Sequence, residues 1–159
     1  PDVFIGPMSS AGQKQTVIDY INKGVAEGAR LVTGGTDMPA GFTTGNYVMP
    51  TIFADVTNDM TIAQEEIFGP VLVMIKYSTV DEAIEIANDT PYGLAAAVWA
   101  GDQEKAKAIA KYIKAGQCAI NGGQPNHEAP FGGYKESGNG REFGDAGLHE
   151  YCELKAMQF

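Results

Sequence analysis

A chain of 159 residues with 44% hydrophobic content is in the usual range for one globular domain, with enough apolar side chain for a core without metals or disulfides. Its 20 acidic residues against 11 basic ones leave a net charge of -9 at pH 7, and the basic residues are scattered with no stripe, which speaks against nucleic acid and anionic membrane as partners. Two cysteines, Cys118 and Cys152, lie far apart without CxxC spacing, so no zinc site or disulfide framework is expected and a reducing cytoplasm is the expected location.

The start, Pro1-Asp2-Val3-Phe4, carries neither a basic region nor a long apolar one, and later apolar runs are broken by Gly or charge. Neither a signal peptide nor a membrane span is expected. Ser9 or Ser10 can cap a helix whose Val17, Ile18, Ile21 and Val25 share one face, and Gly28 is placed to end it. Arg30–Thr33 reads as a short strand, residues 34–46 as a surface loop rich in Gly, Thr and Pro, and residues 47–56 as extended chain. Residues 71–75, Val-Leu-Val-Met-Ile, are a buried-strand candidate. Ser78 and Thr79 stand at capping-box spacing from Asp81 and Glu82, which predicts a helix to about Asn88.

Residues 94–99 form the next predicted strand. Asp102 caps a helix carrying Ala106, Ile109, Ala110 and Ile113, with Gly116 closing it, and Gln117–Ile120 is a further strand. Strand and helix alternate with short turns, so the expected fold class is α/β: a mainly parallel sheet flanked by helices. Residues 121–147 contain no comparable apolar run and read as a structured loop with one short helix from near Gly140, and a loop this long usually has a function. In the tail, residues 151–156 alternate apolar with polar, as in a half-buried strand.

Several side chains could carry chemistry. Glu66 precedes Phe68-Gly69-Pro70, where Gly and Pro set a turn, and a carboxylate held there can accept hydrogen bonds from two neighbouring hydroxyls such as a ribose presents. On the residues alone the plainer alternative is that Glu65 and Glu66 are solvated turn acids and Phe68 is core. Phe131, between Pro130 and Gly132-Gly133, is likewise a core aromatic or a wall of an apolar pocket. Gly138-Asn139-Gly140-Arg141-Glu142-Phe143-Gly144 has a phosphate-loop look. No strand directly precedes it, however, and the third Gly comes one residue late, so a structural turn is favoured. Cys118, in an apolar strand, and Cys152, on the apolar side of the tail, read as inert thiols, and His127 as a solvated loop histidine.

Gln64-Glu65-Glu66-Ile67-Phe68-Gly69-Pro70 and Pro130-Phe131-Gly132-Gly133-Tyr134-Lys135-Glu136-Ser137-Gly138-Asn139-Gly140-Arg141-Glu142 resemble, in order and spacing, segments of the C-terminal part of aldehyde dehydrogenases. The resemblance continues through Ile5-Gly6-Pro7-Met8-Ser9, Gly45-Asn46-Tyr47-Val48-Met49-Pro50-Thr51, Ala87-Asn88-Asp89-Thr90-Pro91-Tyr92-Gly93-Leu94 and Glu153-Leu154-Lys155, and it covers essentially the whole chain. It implies that residues 1–148 belong to the C-terminal part of the catalytic domain and residues 149–159 to an oligomerisation strand. It also implies that Glu66 grips the nicotinamide ribose of NAD or NADP, that Phe68 packs beside the nicotinamide, and that Phe131 lines the aldehyde tunnel. The polar, small residues 122–128 stand where many relatives place a second aromatic, which argues against a strongly apolar substrate.

Family enzymes oxidise an aldehyde to an acid. A cysteine adds to the carbonyl, hydride leaves the thiohemiacetal for the nicotinamide, and a glutamate-activated water hydrolyses the thioester. The resemblance puts that cysteine and that glutamate upstream of Pro1, so Pro1 is expected to be internal to a longer parent. This chain by itself is expected to hold no catalytic residue and no metal and to be inactive, with a small aldehyde and a homo-oligomer as the parent's partners and the cofactor bound mainly by the other domain. Three alternatives stay open: an acylating or semialdehyde-specific relative, a non-catalytic module that pairs through residues 151–159, and an independent dinucleotide binder, which the displaced Gly pattern disfavours.

Overall fold

The computed structural model describes residues 5–159, and Pro1–Phe4, where no leader was expected, lie outside the described residues. The chain divides into two compact units, Pro1–Tyr77 and Ser78–Phe159, at a boundary the sequence does not mark. In the first unit, α1 (Ala11–Ala26) begins at Ser10, whose hydroxyl accepts from the Gln13 N–H, and ends in a Schellman turn. There Gly28 takes φ 97° and donates to Val25, while Ala29 donates to Gly24. The buried stripe is Val17, Ile21 and Gly24; Val25, expected on that face, is half exposed. Gly24 is needed because a Cβ there would come within 2.7 Å of the Ile62 side chain and 3.3 Å of the Phe53 ring.

α1 packs on a sheet of β1 (Arg30–Thr33), β2 (Thr51–Ala54) and β3 (Val71–Val73), with β2 central, antiparallel to β1 and parallel to β3. Phe53 is fully buried beside Val17, Ile21, Val56 and Ile62. Only the central strand is buried. β1 is exposed along its length, and Leu72 of β3 is 55% exposed, which corrects the expectation of a buried strand at residues 71–75: β3 is an edge, and only one of its faces meets the core. A short helix that the sequence did not signal, α2 (Thr61–Gln64), lacks a cap of its own. The Glu27 carboxylate supplies one from the end of α1, accepting from the Thr61 N–H at 2.8 Å and hydroxyl at 2.6 Å.

In the second unit, Thr79 accepts from the Glu82 N–H, and Glu82 reaches back to the Ser78 N–H, so the predicted box opens α3 (Val80–Asn88). β4 (Ala95–Val98) and β5 (Gln117–Ile120) pair in parallel across α4 (Gln103–Ala110), which Asp102 caps through the N–H groups of Glu104 and Lys105. The strands therefore fall in two sheets, with parallel pairing in two of the three strand pairs. Gly116 does not close α4, which stops six residues earlier; a Cβ on Gly116 would overlap the Gly132 carbonyl, so this glycine permits a close backbone crossing.

The loop after β5 holds a 3-10 turn, Lys135–Ser137, and leads to α5 (Gly144–His149). Residues 151–159 carry no secondary structure and are all exposed. The half-burial expected of the tail is thus not met by this chain's own atoms, because no described strand pairs with it.

Asp55, just after β2, pairs with Arg30 of β1 at 2.6 Å and with Lys76, three residues past β3, at 2.8 Å. Hydrogen bonding, first from Lys76 and then from Arg30, holds its carboxyl below the ordinary value. The folded unit therefore binds this proton less readily than the unfolded chain. The stabilisation is fully present above the unfolded value of about 3.9 and is lost as pH falls through the depressed folded value. Asn tolerates the left-handed backbone of this position (φ 56°). Asp55→Asn should lower the thermal midpoint at pH 7 and flatten its decline below about pH 4; parallel melting curves for both proteins across that range would remove Asp55 from the acid response.

Candidate active site

Residues 65–70 leave α2 and enter β3, and one stripe of α1 holds them. Gln13, Val17 and Tyr20 lie at i, i+4 and i+7, hence on one helix face. The Gln13 carboxamide donates from Nε2 to the carbonyls of Ile67 at 3.2 Å and Phe68 at 3.0 Å. Val17 packs on Gly69, where a Cβ would come within 2.5 Å of the valine methyl. Tyr20 donates its hydroxyl to Glu65 at 2.7 Å. Pro70 is tied to β2 by the Thr51 N–H.

The backbone of this turn is fixed while two of its side chains face outward. Glu66 is exposed, and the Phe68 ring is 75% exposed. Phe68 also takes φ 51°, a conformation that costs a bulky residue about 1–3 kcal/mol and persists where surroundings impose it. An outward aromatic on a strained, pinned turn is not the core residue of the plainer reading. An exposed carboxylate and an exposed aromatic ring two residues apart on one turn suit a ligand with paired hydroxyls and a planar heterocycle.

In the second unit a cleft of about 700 Å³ opens between β4, β5 and the loop that follows. Phe131 is half buried in its wall, bridged to Glu142 by two backbone hydrogen bonds and edge-on to Phe143 at 6.2 Å. His127 also meets Phe143 edge-on, at 5.6 Å. Gln124 and Asn126 join the lining, so the wall is mixed in character.

Cys118 lines the same cleft, and burial pushes its thiol up, away from the nucleophilic thiolate. Cys152 is exposed, contrary to its expected apolar setting, and its thiol points at the Leu148 carbonyl. Arg141 donates to the carbonyls of Gly133, Asn139 and Gly140 and stacks 5.5 Å over Tyr134. Lys135 donates to the carbonyls of Asn88 and Thr90. The cations of the Gly-rich segment are thus spent on the chain's own carbonyls, as a structural turn requires. No group of metal-ligating side chains occurs among the described residues, and no described helix is long and apolar enough to cross a membrane.

The structure brings Glu66 and Phe68 together in the first unit and puts Phe131 in the second. The sequence reading missed Gln13 and Arg141, whose roles depend on carbonyls brought to them by the fold, and Phe143, whose left-handed backbone no local pattern announces.

The chain thus has α/β units with mainly parallel pairing, the first carrying an outward carboxylate and aromatic on a fixed turn and the second an aromatic-walled cleft beside two strands. The chain belongs to the aldehyde dehydrogenase family, whose sequence model matches residues 1–157. It is 54% identical over 155 residues to a putative aldehyde dehydrogenase of Staphylococcus haemolyticus, covering 96% of this chain and 32% of that protein. Aldehyde dehydrogenase C of Pseudomonas syringae, solved with NAD+ and octanal, superposes with a TM-score of 0.92 at 51% identity, over 96% of this chain and 31% of that one. A Mycobacterium tuberculosis aldehyde dehydrogenase solved with NAD+ gives 0.88 at 51% identity, over 92% and 30%. The chain thus spans about a third of the length of the relatives it matches.

The closeness of Gly69 to Val17 makes the turn sensitive to a single carbon. Gly69→Ala should destabilise the first unit by about 1–3 kcal/mol, as overpacking does. Denaturant melts of the two proteins would measure it, and an unchanged midpoint would mean that α1 and the turn are more loosely joined than the 2.5 Å approach implies.

Proposed function

We propose that this chain is the C-terminal third of an NAD(P)-dependent aldehyde dehydrogenase and that it contributes the ribose grip, one wall of the aldehyde site and a strand for subunit assembly. The observation that carries the reading is the pinned turn of residues 65–70, on which Glu66 and Phe68 both face outward. The NAD+ bound by the Pseudomonas and Mycobacterium relatives supports a nicotinamide dinucleotide as the ligand. When bound, that cofactor accepts the hydride lost by the substrate carbon. Glu66 accepts hydrogen bonds from the two hydroxyls of the nicotinamide ribose, and Phe68 covers one side of the nicotinamide and limits its tilt. Phe131 excludes water beside the reacting carbon.

Neither cysteine of this chain is assigned to catalysis, since burial pushes the Cys118 thiol up, away from the thiolate, and the Cys152 thiol donates to the Leu148 carbonyl. Chemistry therefore awaits a nucleophile and a base from the remainder of the parent enzyme, and the chain alone is inactive. The exposed tail, residues 151–159, lies in no strand of this chain, which favours the assembly role, because exposed backbone of alternating character is what another subunit's edge can complete. Cytoplasmic location is the setting in which two free thiols persist.

In the full-length enzyme, Glu66→Gln should slow hydride transfer more than it weakens cofactor binding. Charge-assisted hydrogen bonds are worth about 1.5–3 kcal/mol, so the loss should be on the order of ten- to hundredfold in rate. Single-turnover kinetics at saturating cofactor would measure it, and a wild-type rate would return Glu66 to the status of a solvated acid. Deleting residues 151–159 from the same enzyme should lower its sedimentation mass; an unchanged oligomer would withdraw the assembly role.

A further inference from the structure

Phe68 holds a left-handed backbone with no glycine to relieve it, and its ring projects from the protein, so the packing of its own side chain does not impose that conformation. Gly69 seats the turn against Val17, and Tyr20 holds Glu65, but neither contact orients the peptide planes on either side of Phe68. Those two planes carry the carbonyls of Ile67 and Phe68. Both carbonyls accept from a single nitrogen, Nε2 of Gln13, across 54 and 55 residues of sequence.

We propose that Gln13 is a positioning residue for the cofactor site: its carboxamide fixes the two peptide planes flanking Phe68 and so sets the directions in which Glu66 and Phe68 leave the turn. The proposal rests on the reading of Glu66 and Phe68 given above, and it adds a group that acts through the backbone of the turn. The carboxamide nitrogen carries two N–H groups, enough to serve both acceptors, so one side chain of α1 ties two adjacent peptide planes to a single point. A side chain without an N–H at this position leaves both carbonyls to water and the turn free to sample other orientations.

Gln13→Met keeps the length of the side chain and removes the donor; Gln13→Glu keeps the length and sets a carboxylate against two carbonyl oxygens. In the full-length enzyme without cofactor, both should speed amide hydrogen exchange across residues 66–69 by on the order of tenfold, while exchange through α1 and β2 stays as in the wild type. With cofactor, hydride transfer should slow by on the order of tenfold while the dissociation constant for NAD+ changes by less than about threefold, since misorientation costs rate more than affinity. The deuterium isotope effect with a 1-deuterated aldehyde should rise as that step becomes limiting.

Unchanged exchange at residues 66–69 overturns the proposal. So does faster exchange spread through α1 with a lower thermal midpoint and a proportionate loss of every activity parameter, which would reduce Gln13 to a stabiliser of the helix. Glu66→Gln separates the two claims: if it leaves hydride transfer at the wild-type rate while the Gln13 variants loosen the turn and slow transfer, the ribose grip falls and the positioning role stands.

Discussion

The first unit depends on the closeness with which α1 lies against what it covers. Two glycines permit that approach, Gly24 beneath Ile62 and Phe53 and Gly69 beneath Val17, and at both a single added carbon would collide with a neighbouring side chain. Once α1 is seated, the same face that buries Val17 and Ile21 carries Gln13 and Tyr20 to the turn, so one helix surface serves the core and the site together. Glu27 extends the arrangement by capping α2, the element from which the turn departs. Its carboxyl is held below the ordinary value chiefly by the Thr61 hydroxyl.

The two units are stabilised differently. The first buries Val17, Ile21, Phe53, Val56 and Ile62, each worth about 1.5–3 kcal/mol for the larger side chains. In the second, Ala106 is the one hydrophobic side chain fully buried among the described residues. Polar clamps carry much of the rest. Asn88 donates to the Tyr112 carbonyl and accepts from the Lys114 N–H, Ser137 accepts from the Gly93 N–H, and Lys135 and Arg141 gather five carbonyls. Such bonds contribute about 1 kcal/mol each and define a geometry more than they drive burial. A unit built this way is suited to being covered by further protein, in keeping with a chain that spans a third of its relatives' length.

Local signals were legible where the physics is local. Caps at Ser10, Thr79 and Asp102, the Schellman glycine and the strands at Arg30, Ala95 and Gln117 follow from spacing of a few residues, and the structure has each of them. What depends on partners distant in sequence was not legible. Burial of residues 71–75 was inferred from five apolar residues in a row, but an edge strand covers only one of its faces, and Leu72 points away from the core. The tail alternates as a strand should, yet a strand exists only where another edge pairs with it. Gly116 looked like a helix terminator because a glycine after a helix usually is one, whereas here its lack of a side chain admits the Gly132 backbone. Glu66, Phe68 and Phe131 came forward through family resemblance, since exposed acids and loop aromatics are too common for spacing alone to single them out.

The electrostatics of the turn bear on which part of a dinucleotide it can meet. Both lysines of α1 are engaged elsewhere, Lys14 with the Gly45 carbonyl at 3.3 Å and Lys23 with Glu27 at 3.4 Å. Arg30 and Lys76 are committed to Asp55. What the turn presents outward is a carboxylate and an aromatic ring, in a chain of net charge -9. A phosphate approaching Glu66 would meet like charge, and the four cations of the first unit are engaged elsewhere, whereas sugar hydroxyls donate to a carboxylate and an uncharged ring stacks against Phe68. On the proposed reading, this turn therefore meets the cofactor at a nucleoside and not at its phosphates.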